Sequence, residues 1–168
     1  MIEVRVGDLA ATKAMAVLRP VAADWSAVTP AMRRFEQAVG REVEGQCRRM
    51  GELPVGSAVI TGGGALGVEY IVHVVTRSRE EPVTAAVVRR GLVNGLRRLD
   101  EWAVESVAMP PLGTGAGNLD AEEAAEVMIP ILAEHLRTSR YPSRVEVVVE
   151  NEYEREVFER VVRRFESS

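Results

Sequence analysis

Apolar Ile2, Val4 and Val6 alternate with Glu3 and Arg5, a period of two that predicts a half-buried strand ended by Gly7-Asp8. A second apolar run, residues 14–18, predicts another strand, stopped at Arg19-Pro20. After Thr29-Pro30 the period lengthens to that of a helix. Thr29 suits the N-cap and Pro30 the first helical position, because the amide that proline lacks has no partner there anyway. Met32, Phe35, Val39 and Val43 then recur on one face toward Cys47 and Met50, so a single helix is expected.

Two further strands are predicted at 57–61 and 70–76, joined by the glycine-rich stretch 62–67. A helix follows over 83–102, then a short strand at 106–109 and a loop at 110–118. Asp120 and Glu123 have the spacing of a capping box for the next helix, which Pro130 is expected to kink. Residues 145–149, valine at every position but Glu146, predict a strand, and Asn151 caps a last amphipathic helix carrying Val157, Phe158, Val161, Val162 and Phe165. Such alternation of strand and helix calls for an α/β fold in three layers, α/β/α, around a mixed, largely parallel sheet. With no repeat and no low-complexity linker, residues 1–168 read as a single domain.

Composition narrows the functional classes. A formal net charge of −4 disfavours nucleic acid as a partner, and the arginine pairs, such as Arg33-Arg34, read as solvated helix faces. The one cysteine, Cys47, excludes an internal disulfide; with no histidine close to it in sequence, it reads as a buried, inert thiol. No apolar run reaches the roughly 18–20 residues that cross a bilayer, so no membrane association is expected. The first residues lack the layout of a signal peptide, and a cytoplasmic location is the expectation.

Two glycine stretches compete as phosphate sites. Gly62, Gly64 and Gly67 match the dinucleotide fingerprint by spacing, but they lead into a strand rather than a helix N-terminus, so the stretch reads as a turn. Pro110–Asn118 does leave a strand and enter a capped helix. Small residues from 113 to 117 would let backbone N–H groups approach an anion, and without a following Gly-Lys-Ser/Thr a Walker-type site is excluded. Asp8 ends the first strand at the edge where a parallel sheet presents ligands. His73 reads as a core histidine, and with no second His or Cys at ligand spacing no metal or cofactor is expected.

In order along the chain, Gly7-Asp8-Leu9, Val59-Ile-Thr61, Tyr70-Ile-Val-His73 and Met109-Pro-Pro-Leu-Gly-Thr-Gly-Ala-Gly117 resemble the macro domain family. Members of that family bind ADP-ribose, and some hydrolyse ADP-ribosyl esters or O-acetyl-ADP-ribose. The resemblance implies that Asp8 accepts a hydrogen bond from the adenine amino group and that Leu9 lies beside the base. It also implies that Gly113, Thr114, Gly115, Ala116, Gly117 and Asn118 surround the diphosphate and distal ribose. Arg19, as a phosphate partner, and Trp25, stacking on a base or ribose, are further candidates.

Where the family carries Asn-Ala-Ala-Asn, this chain places Arg19 and Ala22, and Thr29-Pro30 stands in for glycines. An alanine cannot orient a sugar or a water, so no catalytic residue is assigned. The leading expectation is therefore a non-catalytic module for ADP-ribose or a related adenine nucleotide diphosphate, with an ADP-ribosylated protein as a further partner. The alternatives are a degenerate paralogue kept for protein interaction, as a homo- or hetero-oligomer, and a hydrolase with a rewired site.

Overall fold

The computed structural model describes residues 1–115 and 118–166. Its elements run β1 (Ile2–Val6), a 3-10 turn (Leu9–Ala11), β2 (Ala16–Ala22), α1 (Pro30–Val39), α2 (Arg41–Arg49), β3 (Ala58–Gly62), β4 (Tyr70–Arg77), α3 (Ala85–Glu101), β5 (Ser106–Met109), α4 (Ala121–Thr138), β6 (Arg144–Val149) and α5 (Glu152–Glu166). The strands form one sheet in the order β1-β6-β5-β2-β4-β3. Neighbouring strands are parallel except β3, which pairs antiparallel with β4. The mixed, largely parallel sheet and its two helical layers are those expected.

Alternation along β2 and β4 sorts the core into two halves. Ala16, Leu18, Val72 and Val74 pack under α3, α4 and α5, together with Leu92, Met128 and Phe158. Val17, Val21, Ile71 and Val75 face the other way, under α1 and α2, with Met32, Phe35 and Val43. Both faces are dry, which is why the central strands read as almost unbroken valine and isoleucine.

Two boundaries differ from the sequence reading by more than a residue or two at an end. The second strand does not stop at Arg19-Pro20 but continues to Ala22, in register with β4 as Arg19↔His73, Pro20↔Val74 and Val21↔Val75. Proline is tolerated there because pairing of β2 with β5 is confined to Ala16 and Val17. The single helix expected after Thr29 is two. Gly40, at φ +95°, separates them, and the Val39 carbonyl accepts from the Ala65 amide (2.9 Å) at the tip of the β3–β4 hairpin. Apolar spacing stays in phase across the break, so periodicity alone runs straight through it. Helix α4 continues through Pro130 as one element.

The hairpin explains the first glycine stretch. A β-carbon on Gly63 would fall 2.0 Å from the Val68 carbonyl oxygen, and Gly64 sits at φ +61° against Val39. These glycines serve a tight turn packed on the end of α1.

Candidate functional site

At the carboxyl ends of β1, β2, β5 and β6 the sheet opens into a cleft of about 630 Å³, inside the roughly 300–1,000 Å³ usual for small-molecule pockets. Asp8 and Leu9, just past β1, line one part of it; Gly113, Thr114, Gly115 and Asn118 line another. Six of the eight residues in the main predicted set therefore meet around one cavity, although Asp8 and Gly113 lie far apart in sequence. Ala116 and Gly117 fall outside the described residues.

The shape of the glycine loop follows from two left-handed residues. Gly113 adopts φ +79° and Gly115 φ +129°, and a β-carbon on Gly113 would meet Val88 Cγ2 at 2.6 Å. Bulkier residues are excluded on both counts. The Gly113 carbonyl accepts from Leu119 N (3.0 Å) and that of Gly115 from Asn118 N (3.1 Å), folding the loop back on itself above α4. Because a peptide unit is planar and trans, tying the Gly113 carbonyl to Leu119 aims the Thr114 N–H in the opposite direction. Beneath, α4 starts with the capping box foreseen from sequence: Asp120 Oδ1 accepts from Glu123 N (2.8 Å) and Glu123 Oε1 from Asp120 N (3.1 Å).

Across the cleft stands the first turn of α1. Thr29 caps it, its Oγ1 accepting from Met32 N (3.2 Å), and Pro30 has no amide to offer. Asp8 caps the 3-10 turn through Oδ1, which accepts from Ala10 N (3.1 Å). Arg34 also lines the cavity, with Nη2 3.2 Å from Glu150 Oε1. The sequence alone places it on a solvated face. Its spacing held the clue, since three and four residues past Ala31 and Pro30 it lies on their side of the helix.

Arg19 and Trp25 do not line this cleft. Parallel register sets Arg19 beside His73 on the face under α1 and α2, where both are buried. The Arg19 guanidinium is engaged there: Nε donates to His73 Nδ1 (2.7 Å) and Nη1 pairs with Glu36 Oε1 (2.9 Å). Trp25 packs edge-on to His73 at 5.7 Å, and its Nε1 donates to the Gly51 carbonyl (2.8 Å).

The same network brings His73 Nε2 within 3.7 Å of Cys47 Sγ, a proximity the sequence separation conceals. Arg19 nevertheless fixes the tautomer. Since Nδ1 accepts from Arg19, the neutral ring carries its proton on Nε2, where it donates to Thr61 Oγ1 (2.8 Å). No basic lone pair faces the thiol. Burial, and then the Arg19 charge, hold His73 well below its ordinary value of 6.5, while burial raises the Cys47 thiol. Among the described residues no group of three or more His, Cys, Asp or Glu side chains could hold a metal.

Residues 31–128 match the family model described as Macro domain. The chain belongs to the macro domain family. An uncharacterized protein of Aeropyrum pernix is 36% identical over 132 residues, which cover 74% of this chain and 67% of that one. A macro domain-containing protein of Caldanaerobacter subterraneus is 29% identical over 108 residues, covering 61% and 59%. Among solved structures, a variant macrodomain of Oceanobacillus iheyensis with ADPR superposes at a TM-score of 0.89, with 19% identity and coverage of 99% and 94%. The Trypanosoma brucei macrodomain in complex with ADP gives 0.85, with 15% identity and coverage of 96% and 68%. At such identities these structures establish the macro domain fold and leave the site to be argued from its own residues.

Arg19 and Ala22 of this macro domain both lie in β2; Arg19 is occupied by Glu36 and His73, and Ala22 is buried with only a methyl group.

Proposed function

We propose that this macro domain binds ADP-ribose or a related adenine nucleotide diphosphate in the cleft between Asp8 and the 113–118 loop, and does not hydrolyse it. One observation carries the reading: the cleft has the volume of a ligand pocket, with a carboxylate at one part and a left-handed glycine loop at another. Asp8 keeps one carboxylate oxygen in a backbone cap, which fixes the other for a donor such as an adenine amino group. The Thr114 amide and hydroxyl serve the diphosphate, as backbone donors at the edge of a parallel sheet commonly do. Macrodomains of Oceanobacillus iheyensis with ADPR and with ADP lend the ligand class its plausibility.

The absence of hydrolysis follows from the side chains at hand. By resemblance to the family, Ala22 stands where a sugar-orienting asparagine would, yet it does not line the cleft, and the neighbouring Arg19 is bound to Glu36 and His73. Isothermal calorimetry with ADP-ribose, ADP, NAD and AMP tests the binding. ADP-ribose is expected to bind measurably, with Asp8→Ala weakening it about tenfold, the worth of one good hydrogen bond. Silence from all four ligands at millimolar concentration sinks the proposal. Release of free ADP-ribose from an ADP-ribosylated protein overturns its non-catalytic half.

A further inference from the structure

Among the described residues lining the cleft, the charged side chains are Asp8, Arg34, Glu150 and Glu154. Two of the carboxylates have local duties: Asp8 caps the 3-10 turn, and Glu154 Oε1 accepts from Glu150 N (2.8 Å) at the start of α5. Among these described lining residues Arg34 is the one cation, and its partner is Glu150. The pair runs from α1, packed on one face of the sheet, to the residue just after β6, where the chain crosses toward α5 on the other face. It forms a strap between the two layers at the cleft. With side chains 64% and 52% exposed, water competes for both charges, and such a pair is readily given up.

A diphosphate is the stronger claimant. It offers more charge than a single carboxylate, and a planar guanidinium matches its oxygens two at a time. We infer that Arg34 is the side chain that recognises the diphosphate, and that Glu150 competes with the ligand for it. This rests on the reading of the cleft as an adenine nucleotide diphosphate site and names the group that selects for charge. A bound anion draws the guanidinium inward and releases Glu150. A neutral nucleoside leaves the strap closed.

The competition has a distinctive sign, because removing a residue that lines the cavity should improve binding. Calorimetry with ADP-ribose, ADP and adenosine on the full chain reads it out, comparing wild type with Arg34→Ala and Glu150→Gln. Arg34→Ala should weaken ADP-ribose and ADP by about tenfold, one charge-assisted contact, and leave adenosine unaffected. Glu150→Gln should tighten both diphosphates several-fold, more at low salt than at high. Both side chains are exposed, so unchanged thermal unfolding serves as the folding control. Diphosphate affinities unchanged in both variants, or an equal loss for adenosine in Arg34→Ala, overturn the strap while the site stands. A wild-type chain that binds neither diphosphate removes the site itself, and the strap with it.

Discussion

Gly115 stands opposite Thr29, so close that a β-carbon on the glycine would lie 3.5 Å from the threonine Cγ2. The loop after β5 and the cap of α1 are thus two jaws of one cleft, and their spacing leaves no room for a branched side chain between them. Gly115→Val also forces a left-handed φ on a β-branched residue, at roughly 1–3 kcal/mol. We expect it to lower ADP-ribose affinity by more than tenfold while the chain stays folded, as calorimetry and urea unfolding would show together. Gly113→Ala should do the reverse, costing at least ~2 kcal/mol of stability through its contact with Val88.

The Arg19–Glu36 pair predicts a large penalty for half-removal. Arg19→Ala leaves Glu36 without its cation and His73 Nδ1 without its donor, so roughly 3–5 kcal/mol should be lost. Arg19→Met combined with Glu36→Gln should recover much of that, because no unpaired buried charge remains. Denaturant midpoints of the single and double variants decide it.

Acid should destabilise the fold through His73. Its folded pKa lies below the unfolded one, so the unfolded chain binds the extra proton first. The contribution is complete above the ordinary value of 6.5 and shrinks as pH falls below it, by at most ~1.4 kcal/mol per pH unit. Protonation would set a second donor against Arg19 Nε, so the folded state resists it. Thermal unfolding between pH 7 and 5 should show this slope, and His73→Gln should flatten it; an unaltered slope in that variant would assign the acid sensitivity elsewhere.

Cys47 should behave as a protected thiol. It is buried, its pKa is raised, and the ring beside it presents a proton rather than a base. Labelling by a thiol-specific reagent at pH 8 should be about a hundredfold or more slower than in urea, with a rate tracking local opening. Rapid labelling of the native chain would contradict the tautomer assigned to His73.

Much of this was legible before any coordinates. The alternation through β1, the caps at Thr29 and Asp120, and the glycines at 113 and 115 are local signals, and each states its own backbone requirement. Relationships across the sheet were hidden instead. Nothing near Arg19 announces that β2 and β4 will set it beside His73, so a free arginine looked available for phosphate. Gly40 sits inside an unbroken apolar period, and only the hairpin that takes the Val39 carbonyl reveals why the helix stops. Arg34 was overlooked because a doubled arginine on a helix usually faces water, and its neighbour across the cleft comes from the far end of the chain.

The pairing of β1 with β6 has a bearing on how the molecule assembles. Residues 2–6 pair in register with residues 145–149, and Gly7 N donates to the Val149 carbonyl (3.1 Å), which holds the start of the Asp8 turn against the end of β6. Strand β1 therefore has no strand neighbour until β6 has been synthesised. A polypeptide cut before β6 lacks the strand that joins β1 to β5, and with it the support that seats Asp8 at the rim of the cleft.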